Sequence, residues 1–82
     1  MDNRFVVKCA AESLKKYGPM ASIVLSCCLR DDYGVDVSST KLAHIIRIYG
    51  KDEISRRIRT TEKGFGSYGV AGEAMIYEVQ IL

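Results

Sequence analysis

Arg56, Arg57 and Arg59 crowd the middle of the stretch KDEISRRIRTTEKGF, between Ile54 and Lys63. A guanidinium is permanently charged and presents a planar fork of donors. It therefore holds phosphate or carboxylate oxygens in bidentate geometry, whereas a lysine acts as a mobile point charge. At about 100° per residue, Ile58 and Thr61 fall on the side of Ile54 and Arg56, Arg59, Thr60 and Lys63 fall broadly opposite. One side of such a helix packs and the other meets an anion. The plainer alternative is a solvated basic face with no ligand.

Covalent and metal chemistry have less to work with. The chain holds one histidine, His44, and three cysteines, Cys9, Cys27 and Cys28, with no C-x-x-C or H-x-x-H pair to organise ligands. No nucleophile stands beside a base at a recognisable spacing, so neither catalytic residues nor a metal or cofactor are expected. Asp31 and Asp32 are adjacent and point in different directions from a helix end, which makes them a solvated terminus. The run GFGSYGVAG does not have the context of a dinucleotide fingerprint, because no helix follows it; its glycines equally serve as turns around two aromatics. Cys9 and Cys27 read as small apolar core groups, with Cys28 turned partly away toward a partner. An odd cysteine count without a disulfide framework suits a reducing, intracellular compartment, cytoplasm or nucleoid/nucleus.

A chain of 82 residues, 48% hydrophobic and 27% charged, has room for one domain over 1–82 and enough apolar surface to fold. The net charge of +2 says little about partners. Its distribution says more: residues 41–63 carry Lys41, Arg47, Lys51, Arg56, Arg57, Arg59 and Lys63 against Asp52, Glu53 and Glu62, while the flanking segments are balanced or acidic. The uncharged run from Pro19 to Leu29 is too short to span a bilayer, and no membrane association is expected.

The elements that must position these residues follow from periodicity. Arg4 to Tyr17 places Phe5, Val6, Cys9, Ala10, Leu14 and Tyr17 along one side of an amphipathic helix, capped by Asp2 or Asn3 and ended by Gly18-Pro19. From Met20, ASIVLSCCL is apolar nearly all round and predicts a central buried helix closing at Gly34. Val35-Asp36-Val37 permits a brief strand, and Ser38-Ser39-Thr40 offers caps for a third helix carrying Leu42, Ile45, Ile46 and Tyr49. Gly50 closes that helix at a position where left-handed residues are common, and Lys41, His44 and Arg47 occupy its other surface.

Residues 52–63 satisfy two periods. Asp52 and Glu53 at the start and Lys63 with Gly64 at the end favour a helix through its dipole. Alternation of Ile54, Arg56, Ile58 and Thr60 also fits an exposed strand, in which case Arg57 and Arg59 share a face opposite Ile54, Arg56 and Ile58. Helix is the preferred expectation. Beyond it, Phe65 to Val70 forms a short strand, Ala71-Gly72-Glu73 a turn, and Ala74 to Leu82 a strand with Met75, Tyr77, Val79 and Ile81 on one side.

Ser39-Thr40-Lys41-Leu42-Ala43 leading a helix, then Ile54-Ser55-Arg56-Arg57-Ile58-Arg59, Glu62-Lys63-Gly64-Phe65 and a terminal hairpin resemble the winged helix-turn-helix family over about residues 20 to 82. The resemblance implies an α+β fold of three to four helices followed by a C-terminal β-hairpin wing, with 4–17 as an added N-terminal helix. It also implies a DNA-binding protein, a transcription regulator or accessory factor, that puts residues 52–63 into the major groove of double-stranded DNA. Arg56 and Arg59 are then the principal contacts, Ser55 and Thr60 donate hydroxyls to phosphate, Lys51 and Lys63 touch the backbone, and Tyr68 bonds phosphate from the wing. Ser67 is a second hydroxyl there, but no Arg or Lys lies in the wing beyond Lys63, so a weak wing contact is expected. A homodimer would raise affinity through paired half-sites. The alternative is a protein-interaction module on the same fold, using Met75 to Leu82 as an edge or apolar patch.

Overall fold

A computed structural model of the chain describes residues 2–61 and 72–80. Helix α1 spans Asn3–Tyr17 and begins where the Asp2 carboxylate accepts the Arg4 N–H at 3.0 Å, satisfying one of the amides a helix start leaves unpaired. It ends at Gly18, whose φ of 92° lies in the region that favours glycine. Its buried side is Val6, Val7, Cys9, Ala10, Ser13 and Leu14, while Phe5 and Tyr17, expected inside, are about half exposed. Tyr17 instead donates its hydroxyl to Asp32 at 2.7 Å on the surface.

Met20 and Ala21 form a short strand, β1, before helix α2 spans Ser22–Tyr33. Only Leu25 and Leu29 of α2 are fully buried, so the expected all-round burial is overturned: Ile23 is 67% and Val24 51% exposed, and Cys27 is exposed. The helix lies on the surface of the three-helix layer and needs only one buried stripe. The two adjacent cysteines also exchange roles relative to expectation. Cys28 is half-buried with its thiol 3.9 Å from the Met20 sulfur, and Cys27 faces out. Gly34, at φ 68°, takes the left-handed conformation and closes α2, and the Val35 N–H reaches the Leu29 carbonyl at 3.1 Å. Residues 34–38 connect to the next helix without forming the brief strand expected at Val35–Val37, although Val35 itself is buried.

Helix α3 spans Ser39–Tyr49, with the Ser38 hydroxyl accepting the Lys41 N–H at 3.1 Å. Leu42, Ile45 and Ile46 are buried and Tyr49 is half exposed. Gly50 ends the helix at φ −114°, an ordinary conformation. Close packing favours glycine there instead: a Cβ would sit 3.1 and 3.3 Å from the Val7 methyls and 3.2 Å from the Ile46 carbonyl oxygen, so a neighbour would have to give by a few tenths of an ångström. The α1–α3 contact closes over a missing side chain.

Residues 52–61 of the expected helix 52–63 are not helical; 62 and 63 lie outside the described residues. Lys51 to Glu53 make a turn, with the Glu53 and Ile54 N–H groups both bonding the Gly50 carbonyl, and strand β2 spans Ile54–Thr61. Strand β3 spans Gly72–Val79, so Gly72 and Glu73 belong to a strand where a turn was expected. The two pair antiparallel from Ile54↔Val79 to Thr61↔Gly72, and β3 pairs with β1 on its other edge through Met20↔Tyr77 and Ala21↔Ile76. The sheet order is β1-β3-β2. β2 is a strand because its β-branched Ile54 and Ile58 meet Val79 and Met75 across the ladder, a partnership the helix dipole cannot match.

The three helices pack on one another and α1 also packs on β3. Val6, Leu25, Leu29, Leu42 and Ile46 are fully buried at their centre, and Ile54 and Tyr77 close the core from the sheet. Burying each such side chain is worth roughly 1.5–3 kcal/mol. The first helix is thus integral to the core rather than an appendage to it. The fold is α+β, three helices against a three-stranded antiparallel sheet.

Candidate nucleic-acid interface

Burial of Leu42, Ile45 and Ile46 sends the opposite side of α3 to solvent. Thr40, Lys41, His44, Arg47 and Ile48 are exposed there, and Lys51 continues the ridge past the helix end. No acidic residue occurs from Val37 to Lys51. The Arg47 guanidinium donates to His44 Nδ1 at 3.2 Å, one helical turn away, which makes that nitrogen the acceptor. Arg47 also stands in the last turn, where a cation complements the helix dipole.

The arginines of β2 divide between the two faces of the sheet, because side chains of a strand alternate. Arg56 shares the face of Ile54 and Ile58 and lies opposite Tyr77; Arg57 and Arg59 lie on the other face, opposite Ile76 and Ala74. Arg57 is engaged with Glu78 at 3.3 Å. Arg56 and Arg59 are exposed and form no ion pair among the described residues. The pair expected to share one reading surface is therefore split. Ser55 is half-buried, with its hydroxyl 3.5 Å from the Glu78 carbonyl oxygen, and Thr60 pairs with Glu73 in the ladder. Lys63, Ser67 and Tyr68 lie outside the described residues, as do the expected strand Phe65–Val70 and Ile81.

The structure brings Lys51, Ser55 and Arg56 together with a residue of α3. A cleft of about 420 Å³ between the end of α3 and β2 is lined by Arg47, Lys51, Ile54, Ser55, Arg56 and Gln80. Burial pushes the Tyr77 phenol above its ordinary value, and the neighbouring Arg56 charge opposes the shift. Lys41, His44 and Arg47, assigned from sequence to the surface of a helix and not to a site, form an exposed basic ridge. Their signal was present: a hydroxyl cap followed by a helix without a carboxylate.

Elsewhere, burial raises the Cys9 and Cys28 thiols above their ordinary range, which keeps them neutral and poorly nucleophilic. Among the described residues, no group of three His, Cys, Asp or Glu side chains is placed to hold a metal ion. No described helix is long and apolar enough to cross a membrane. No family model, curated protein or solved structure matches the chain.

Proposed function

We propose that the protein is a winged-helix protein that binds double-stranded DNA, with α3 rather than residues 52–63 entering the major groove. The observation that carries this reading is the exposed side of α3, where Lys41, His44 and Arg47 face solvent with no carboxylate on the helix. The element order supports it: a second and third helix joined by a short connection, then an antiparallel hairpin whose strand β3 also pairs with β1, is the arrangement a wing requires. Arg47 and Lys41 bond base edges or phosphates, Thr40 donates to phosphate, and the β2–β3 hairpin carries Arg59 toward neighbouring backbone. A role in transcription regulation is the function that suits such a module.

A salt-titrated binding assay on duplex DNA tests this. Lys41→Ala with Arg47→Ala lowers affinity and reduces the slope of log K against log salt by about two, one for each phosphate contact removed. Equal binding of parent and double variant to duplex at low salt sinks the assignment to α3.

The exposed Ile23, Val24 and Cys27 on α2 favour a second reading, a protein-interaction module on the same fold. Recovery of one protein partner in a pull-down that nuclease does not disturb, together with no salt-dependent duplex binding, selects it.

A further inference from the structure

The cleft between α3 and β2 gathers Arg47 from the helix, Lys51 from the turn and Arg56 from the strand, and none of its lining residues is acidic. Among the described residues, neither of the nearest acids in sequence makes an ion pair with them: Glu53 lines a different cleft with Arg4, Val7 and Lys8, and Asp52 is exposed in the turn. Like charges held together without a counter-charge repel, and the repulsion is relieved when an anion enters. Their anchor points are fixed. Ile54 is 3% exposed and roots β2 in the core, and Gly50 is pressed against Val7 at the end of α3. Gln80 adds a neutral amide to the lining, and a guanidinium fork suits an anion with several oxygens over a single halide.

We propose that this cleft is a phosphate-binding site, occupied by a backbone phosphate of the duplex beside the groove that α3 enters. The identity of the occupant rests on the DNA reading above; the chemistry of the cleft does not. Arg56 takes two phosphate oxygens through its fork, and Lys51 supplies a point charge. Arg47 belongs to both the ridge and the cleft, so a phosphate held there fixes the register of α3. A contact of this kind positions the protein without reading sequence.

Two measurements test it, with wild type and the Lys51→Ala/Arg56→Ala double variant; both residues are exposed, so the variant keeps the fold. Inorganic pyrophosphate, added at constant ionic strength against chloride, shifts the Ser55, Arg56 and Gln80 amide resonances saturably in wild type and not in the variant. On several random duplexes the variant lowers the salt slope by about two, equally for each sequence. Absence of the pyrophosphate shifts overturns the phosphate site. A steep wild-type slope that the variant retains overturns the backbone occupant. Saturable pyrophosphate shifts without any duplex binding remove the DNA reading and leave the cleft as a site for a free phosphorylated ligand.

Discussion

Ser13 sits fully buried on α1, and its hydroxyl has no hydrogen-bond partner among the described residues. A buried hydroxyl without a partner costs roughly 1–3 kcal/mol, so Ser13→Ala stabilises the fold by about 1 kcal/mol. Urea unfolding checks this: the midpoint rises with the m-value unchanged, and a lower midpoint refutes it. Gly50 presents the opposite case, a position where a side chain would crowd its packed neighbours. Gly50→Ala drives a methyl against Val7 and the Ile46 carbonyl and destabilises by about 1–3 kcal/mol. The loss is smaller in a Val7→Ala background, and a double-mutant cycle with no coupling between the positions would refute the steric cause. At Ile23 exposure predicts indifference: Ile23→Ser changes stability by no more than about 0.5 kcal/mol.

Among the elements, α3 depends on its cap. Ser38→Ala removes the bond to the Lys41 N–H and costs about 1 kcal/mol, read as a lower unfolding midpoint. Ends of this kind are legible in sequence because they are local: Asp2, Gly18, Ser38 and Gly34 act within a few residues of where they stand. β2 was not legible, since Ile54 and Ile58 satisfy a period of two and a period near four equally well. What decides between them is Val79 and Met75, the partners of Ile54 and Ile58, which reach β2 only through the tertiary fold. The basic stretch stood out in the sequence, but its geometry changed with the element, separating Arg56 from Arg59 and joining Arg56 to Lys51 and Arg47. α2 misled for another reason. Apolar side chains are not confined to the interior, so an unbroken apolar run does not reveal that Ile23 and Val24 face out.

At the scale of the whole molecule, the titrating groups that move among the described residues all move upward: Cys9, Lys16, Tyr17, Cys28 and Tyr77. Each holds its proton more tightly when folded. The stability this contributes is fully present below the unfolded-state values, 9.0 for the thiols and 10.0 for the phenols, and is lost as pH rises through the raised folded ones. Tyr77→Phe removes the most buried phenol from this set. Its unfolding midpoint therefore falls less steeply than wild type between neutral pH and about pH 11, and parallel alkaline limbs would refute the assignment.

The sheet also imposes an order on synthesis. Its middle strand, β3, is the last described element in the chain, and both β1 and β2 take their ladder partners from it. A nascent chain emerging N-terminus first can collapse its helices early, yet Met20 and Ile54 wait for Tyr77 and Val79 to leave the ribosome. Until then β2 carries its arginines as an unpaired segment, and the cleft that gathers three of the chain's cations has no second wall.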